Sequence, residues 1–341
     1  MIQKYKLSEE EFRGERFKNH TIDLQGNNDL LSITQPDKIA KIHKAYYEAG
    51  ADIVETNTLN ANGISQSDYG TEKFVYEMSF ESAKIVKKLA DDFTKANPDK
   101  PRFVAGAIGP TNQSASLSPD INRPEYRKVT FDNLVNGCVD HVRGLVEGGS
   151  DVLLIETIMD SLNCKAALFA IDEYFESSGN KIPIMISVTV VDASGRTLSG
   201  QTLEAFWITI SHTELLSVGI NCAMGAKEMR PFIEELSTIA PIPVSMYPNA
   251  GLPNEFGGYD ETHEETAAIL SEYVDSGFIN IIGGCCGTTP EHIKKIAEMV
   301  ANKKPRIIPK VKNYPQFSGM EPLTIRPDSN FTNVGERCNI S

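Results

Sequence analysis

INIIGGCCGTTPEHI, residues 279–293, is the stretch on which the fold turns. A short apolar run gives way to two glycines and a vicinal cysteine pair. A helix start follows, with Thr289 as N-cap and Pro290 at the first helical position. VGINCAMGA, residues 218–226, repeats the device with one cysteine, Cys222. Both segments put thiols at the C-terminal end of a strand, the edge where α/β proteins assemble active sites.

Outward from these two segments, short apolar runs alternate with amphipathic helices along most of the 341 residues. The runs are 51–55 (ADIVE), 103–107 (FVAGA), 151–156 (DVLLIE), 183–189 (PIMISVT), 218–221 (VGIN), 243–247 (PVSMY) and 279–282 (INII). Near-continuous apolar strands of this kind imply a parallel sheet covered on both faces. Helical patterns fall near 36–48, 69–96, 131–147, 161–176, 203–212, 226–239, 261–275 and 290–301. In EAGAD, EGGSD and DSGFIN a helix stops at glycine and a strand begins at once. The expected fold is α/β, a (β/α)8 TIM barrel over residues 1–301.

The strand count is one short. Residues 1–35 read as loop with one short helix near 9–17, so the barrel is expected to lack its first strand, the chain starting after it. Two free sheet edges would result. Residues 302–330, rich in Pro and Lys, read as an extended C-terminal linker, and 331–341 as the start of an absent pterin-binding domain.

Composition narrows the function classes. With 33 Lys and Arg against 46 Asp and Glu the net charge is −13, and no basic patch interleaved with aromatics offers a nucleic-acid surface. No apolar run is long enough to span a bilayer, and the first residues do not form a signal peptide. Six cysteines in a chain of this length, two of them adjacent, do not form a disulfide framework and point to a reducing cytoplasm. Cys138 and Cys164 fall in helical patterns and are expected to be buried. Cys222, Cys285 and Cys286, with no fourth cysteine beside them, suggest a metal centre with one open position, suited to a soft divalent ion that ionises a thiol. GRTLSGQ at 195–201 lacks phosphate-loop spacing and reads as a rim segment. None of the histidines falls at a strand end.

INCAMG, YPNAGLPN and GGCCGTTPEHI, together with ETNTLNAN, GAIGPTN, LLIETIMD, DASGRTLSGQT and the terminal NVGER, resemble the homocysteine-binding barrel of the cobalamin-dependent methionine synthase family. Betaine–homocysteine methyltransferases share the barrel and the cysteines. The resemblance implies a methyltransferase module in which Cys222, Cys285 and Cys286 hold Zn2+, and homocysteine enters as thiolate to take a methyl group from methylcobalamin. The cobalamin would come from another module, and folate and reactivation modules would be further partners. It implies that Asn249 fills the fourth zinc position in the substrate-free form, where a turn asparagine is the plainer reading. It also implies that Glu156 binds the substrate ammonium, against a rim salt bridge or helix cap. Glu55, Thr56 and Asn57 stand at the same level, to touch substrate or to hold loops together. No catalytic residue is expected beyond the metal site. Rival readings are a stand-alone enzyme with a betaine or sulfonium donor, and an inert zinc-binding fragment.

Overall fold

Seven strands stand side by side in chain order, all parallel: β1 (Ile53–Glu55), β2 (Phe103–Ile108), β3 (Val152–Ile158), β4 (Ile184–Val188), β5 (Ser217–Gly225), β6 (Val244–Asn249) and β7 (Ile281–Ile282). They coincide with the seven apolar runs of the sequence. This computed structural model describes residues 1–333 and Gly335. Helix α1 (Pro36–Glu48) precedes β1. Each strand is then followed by a helix: α2 (Val75–Ala96), α3 (Phe131–Glu147), α4 (Ser161–Ser178), α5 (Leu203–Ile210), α6 (Ala226–Ile239), α7 (His263–Asp275) and α8 (Pro290–Val300). The sheet curls into a half-barrel of TIM type. Among the described residues β1 pairs only with β2, and β7 only with β6, so the eight-stranded closure is not formed.

Alternation along each strand sorts the side chains into two sets. Ala105, Val152, Leu154, Met185 and Tyr247 pack together inside the sheet's curl, with Ile53, Ile281 and Cys285 against them. Leu153, Ile155, Ile184, Ile186, Val218, Ile220, Val244 and Met246 point the other way and join the helices in the main core. Both faces are thus buried, which is why the runs read as continuous apolar segments. Between β5 and β6 the backbones come so close that a Cβ on Gly219 would stand 2.0 Å from Ser245 Oγ and 2.2 Å from its carbonyl oxygen. Only glycine permits that approach.

Local signals fix most helix ends. Thr130 and Thr262 form capping boxes with Asn133 and Glu265, and Asp160 and Thr202 cap α4 and α5. The helix expected from residue 69 begins at Val75 instead, because Gly70 adopts a left-handed φ of 62° and breaks the run. Residues 1–35 hold more order than one helix. Glu9–Arg13 and Leu31–Thr34 are both helical, and Phe12, Phe17, Leu24, Leu30 and Leu31 pack with Ile39 and Ile42 of α1 as a second core.

The segment read as an extended linker is not extended throughout. β8 (Gln316–Ser318) and β9 (Pro322–Thr324) make an antiparallel hairpin that lies on α5. Gln201 Nε2 donates to Ser318 Oγ (3.1 Å) and Gly319 O (2.9 Å), and Ser318 Oγ donates to Ala205 O (2.7 Å). Upstream, the Arg306 guanidinium caps the carbonyls of Ser237, Ala240 and Ile242. The NVGER motif and Cys338 fall mainly on Val334 and residues 336–341, outside the described residues. Among those described, no helix is long and apolar enough to cross a membrane.

Candidate metal centre

By strand alternation Asn221 faces the interior and Cys222 would face the helices. Two left-handed residues, Cys222 (φ 60°) and Ala223 (φ 58°), break that alternation, and the pairing register with β6 jumps between Asn221 and Gly225. The bulge re-aims the thiol toward the mouth. Left-handed backbone at a non-glycine residue costs on the order of 1–3 kcal/mol, which the surrounding contacts must offset. Cys285 and Cys286 reach the same place from β7, and β6 fixes them. Cys285 N–H donates to Pro248 O (2.8 Å), Ala250 N–H to Cys286 O (2.9 Å), and Cys286 N–H to Asn249 Oδ1 (3.1 Å).

All three sulfurs lie within 4.8 Å of one another, with Cys222 Sγ and Cys286 Sγ 3.9 Å apart. Among the described residues this is the one cluster of His, Cys, Asp or Glu spaced to hold a metal ion, and no histidine belongs to it. Three soft donors converging at an open mouth fit zinc with a position left for a substrate thiol. The thiols compete for protons. Cys286 ionises most readily because Cys222 and Cys285 hydrogen-bond its thiolate; the same contacts with Cys222 and Cys286 raise Cys285. By contrast, burial alone pushes the Cys138 thiol up to about 12 and does most to raise Cys164 to about 12, so these two are inert packing groups as expected.

Asn221, fully buried, organises the interior beneath the sulfurs. Its Oδ1 accepts from Ser187 Oγ (2.7 Å) and Thr157 N–H (3.0 Å). Its Nδ2 donates to Thr157 Oγ1 (2.8 Å) and reaches Glu156 Oε2 (3.4 Å) and Cys285 Sγ (4.0 Å). Thr157 is itself left-handed (φ 55°) and marks a register shift in β3. One side chain therefore ties two strained bulges together. Sequence reasoning singled out the cysteine and passed over the asparagine before it, although strand alternation alone places Asn221 inside.

Glu156, at the inner end of β3, is buried, and burial followed by repulsion from Glu55 raises its carboxyl well above the ordinary range. Glu55, at the end of β1, lies beside Glu156, and the protein atoms around it raise its carboxyl to about 7 although the side chain remains exposed. Solvent still reaches Glu55 along the cavity it lines. Repulsion between the two carboxyls favours the protonated form of Glu156, the buried member. Thr56 and Asn57 spend their polar atoms on structure. Thr56 Oγ1 accepts from Ala107 N–H (2.9 Å) and contacts Thr58 Oγ1 (2.6 Å), while Asn57 Nδ2 donates to Asn28 O (2.7 Å). The carboxyls and sulfurs share a cavity of about 860 Å³ that runs along the gap between β1 and β7. The Tyr247 hydroxyl is buried there near Ser245. Tyr259, in the loop after β6, packs against the backbone at Gly287, the residue that follows Cys286. Neither tyrosine was singled out from the sequence: Tyr247 closes the apolar run 243–247, and Tyr259 lies in the polar stretch before the helical pattern at 261–275.

A family model described as homocysteine S-methyltransferase matches residues 1–300. Among solved structures the chain resembles the homocysteine methyltransferase MmuM from Escherichia coli. Its oxidized form is 21% identical over 79% of this chain and 86% of that one, with a TM-score of 0.64. The metallated form gives 0.62 at the same identity and coverage, and the apo form 0.60 over 81% and 90%. At this identity the likeness bears on the fold.

Proposed function

Because the chain belongs to the homocysteine S-methyltransferase family, we propose that Cys222, Cys285 and Cys286 hold one zinc ion and that the mouth above them receives homocysteine for methylation. The observation that carries this reading is the convergence of three sulfurs from two strands within 4.8 Å. When bound, zinc supplies a Lewis acid that keeps a thiol deprotonated at neutral pH. The rest is the work of the chain's own groups. Asn221 and the β6 backbone hold the sulfurs in place. Glu156, losing its proton to solvent through the cavity, receives the substrate ammonium in a charge-assisted contact, with Glu55 beside it. The homocysteine sulfur, held as thiolate, attacks the methyl carbon of the donor, forming the C–S bond as the donor leaves with the electron pair. Asn249 keeps one lone pair on Oδ1 after accepting from Cys286, and in this reading that pair serves the metal while the substrate is away.

The finer reading takes methylcobalamin, delivered by another module, as the donor, and the half-barrel as a (β/α)8 barrel short of one strand. The terminal NVGER motif supports it, since betaine enzymes share the barrel and the cysteines. A betaine or sulfonium donor, as in a stand-alone enzyme, is separated from it by supplying each donor with homocysteine and measuring methionine. The first test is metal content. The wild-type chain is expected to carry close to one zinc, and C222A, C285A and C286A to lose it to a chelator that leaves the wild type loaded. The loss should exceed the roughly 10–100-fold typical of removing a ligand's supporting partner. Full retention of zinc by any of the three would remove that cysteine from the site.

A further inference from the structure

Two loops meet at the sulfur cluster, and one buried imidazole joins them. His292, in the first turn of α8, is buried. Its Nε2 stands 3.0 Å from Glu261 O, and its Nδ1 faces Thr289 N–H at 3.3 Å and Thr289 Oγ1 at 2.9 Å. A carbonyl only accepts, so Nε2 carries the ring hydrogen and Nδ1 accepts from Thr289. The ring meets His263, the first residue of α7, edge to face with centroids 5.9 Å apart.

These contacts close a circuit. From Glu261 one route runs through Gly251, where a Cβ would stand 3.1 Å from Glu261 Cβ. It continues to Ala250, whose N–H donates to Cys286 O (2.9 Å), and to Asn249, whose Oδ1 accepts from Cys286 N–H (3.1 Å). The other route runs through His292 and Thr289 into the turn that Thr288 N–H closes on Cys285 O (3.2 Å). Helix capping alone does not call for this arrangement, since a Glu or Gln three residues after the N-cap accepts from the N-cap N–H as well. The histidine does one thing more: its second nitrogen donates to a carbonyl on another loop. We propose that His292 is a positioning residue for the metal centre. It locks the loop of Cys285 and Cys286 onto the loop of Asn249, so that the sulfurs keep their spacing while the substrate thiol comes and goes. The inference deepens the zinc reading above and rests on it.

The test uses the full chain, zinc-loaded and then stripped of metal, with H292E and H292Q. Glu keeps the cap and lacks a donor for the Glu261 carbonyl, whereas Gln keeps both. One readout is the rate of zinc loss to a chelator. The other is iodoacetamide labelling of each cysteine in the stripped chain, resolved by peptide mass spectrometry. Zinc is expected to leave H292E about tenfold faster than wild type, the lower end of what loss of a ligand's supporting partner costs, with H292Q close to wild type. Labelling should rise in H292E at Cys285 and Cys286 and stay level at Cys222, which β5 holds. Zinc loss from H292E at the wild-type rate would overturn the inference, since capping would then be the whole of the role. So would an H292Q no better than H292E, or labelling that rises equally at all three cysteines, the mark of general loosening. Wild-type chain that takes up no zinc sinks the underlying reading instead, and the labelling pattern then decides the clamp by itself.

Discussion

Strand β5 runs nine residues, is paired on both sides and carries Cys222 in the bulge near its C-terminal end; β7 runs two, is paired among the described residues only to β6 and leads into Cys285 and Cys286. The sulfur cluster thus spans the most secure and the least secure parts of the sheet. On the β5 side, geometry comes from a regular ladder deformed by one bulge. On the β7 side, three hydrogen bonds from the end of β6 do what a second neighbouring strand would do elsewhere. Strand length is therefore a poor guide to where a site can be built. What the site requires is that every backbone group near the thiols be tied, whether by a ladder or by turn contacts.

The sharpest way to break that comparison is at Asn221. N221A would leave Ser187, Thr157 N–H and Thr157 Oγ1 without their partner, each orphaned buried group costing about 1–3 kcal/mol. A loss of roughly 3 kcal/mol or more in urea unfolding is expected, together with weaker zinc retention, since both bulges relax. A stability loss with unchanged zinc affinity would mean that the β5 side is held by its ladder alone.

The seam tests the other side. Fusing an apolar strand of about six residues ahead of Met1, which lines the gap between β1 and β7, should cover two free edges. A rise of about 5 °C or more in Tm is expected, given 2–4 °C per kcal/mol for chains of this order, and Cys285 and Cys286 should become slower to alkylate. An unchanged Tm would show that the edges are already satisfied.

The smallest effect is expected at Glu55, on the seam's β1 side. The protein atoms around its carboxyl raise it above the ordinary 4.5 toward about 7, an effect that solvent at this exposed side chain screens in part, so in that window the folded chain holds a proton that the unfolded chain has lost. Stability therefore falls as pH climbs through this window, and the deficit is complete above it. E55Q removes the deficit. Its Tm should exceed that of the wild type by a few degrees at pH 8 and match it near pH 4, a shift of about 1 kcal/mol by the same conversion. The same gain at both pH values would mean that the group titrates normally.

Much of this was legible before any coordinates. All seven strands and the long helices followed from apolar periodicity, because a parallel sheet covered on both faces leaves the period in the sequence itself. The three cysteines declared themselves by falling at strand ends. Misses came where local pattern and tertiary need part ways. The helix after Gly70 starts late because a single left-handed glycine outweighs the run around it. The hairpin 316–324 exists because α5 and the GRTLSGQ loop supply its partners, and nothing within the hairpin itself announces them.

What the sequence determined by itself is the order of βα units, the identity of the three converging cysteines and the strand ends that carry them, since each depends on residues close in the chain. What the tertiary structure decided is which groups stand next to one another: the left-handed turn that swings Cys222 inward, the carboxyl pair drawn from β1 and β3, Asn221 bridging two bulges, and Tyr259 against Gly287. Those contacts join residues far apart in the chain, and their energies depend on distance, burial and orientation, none of which is a property of a linear string.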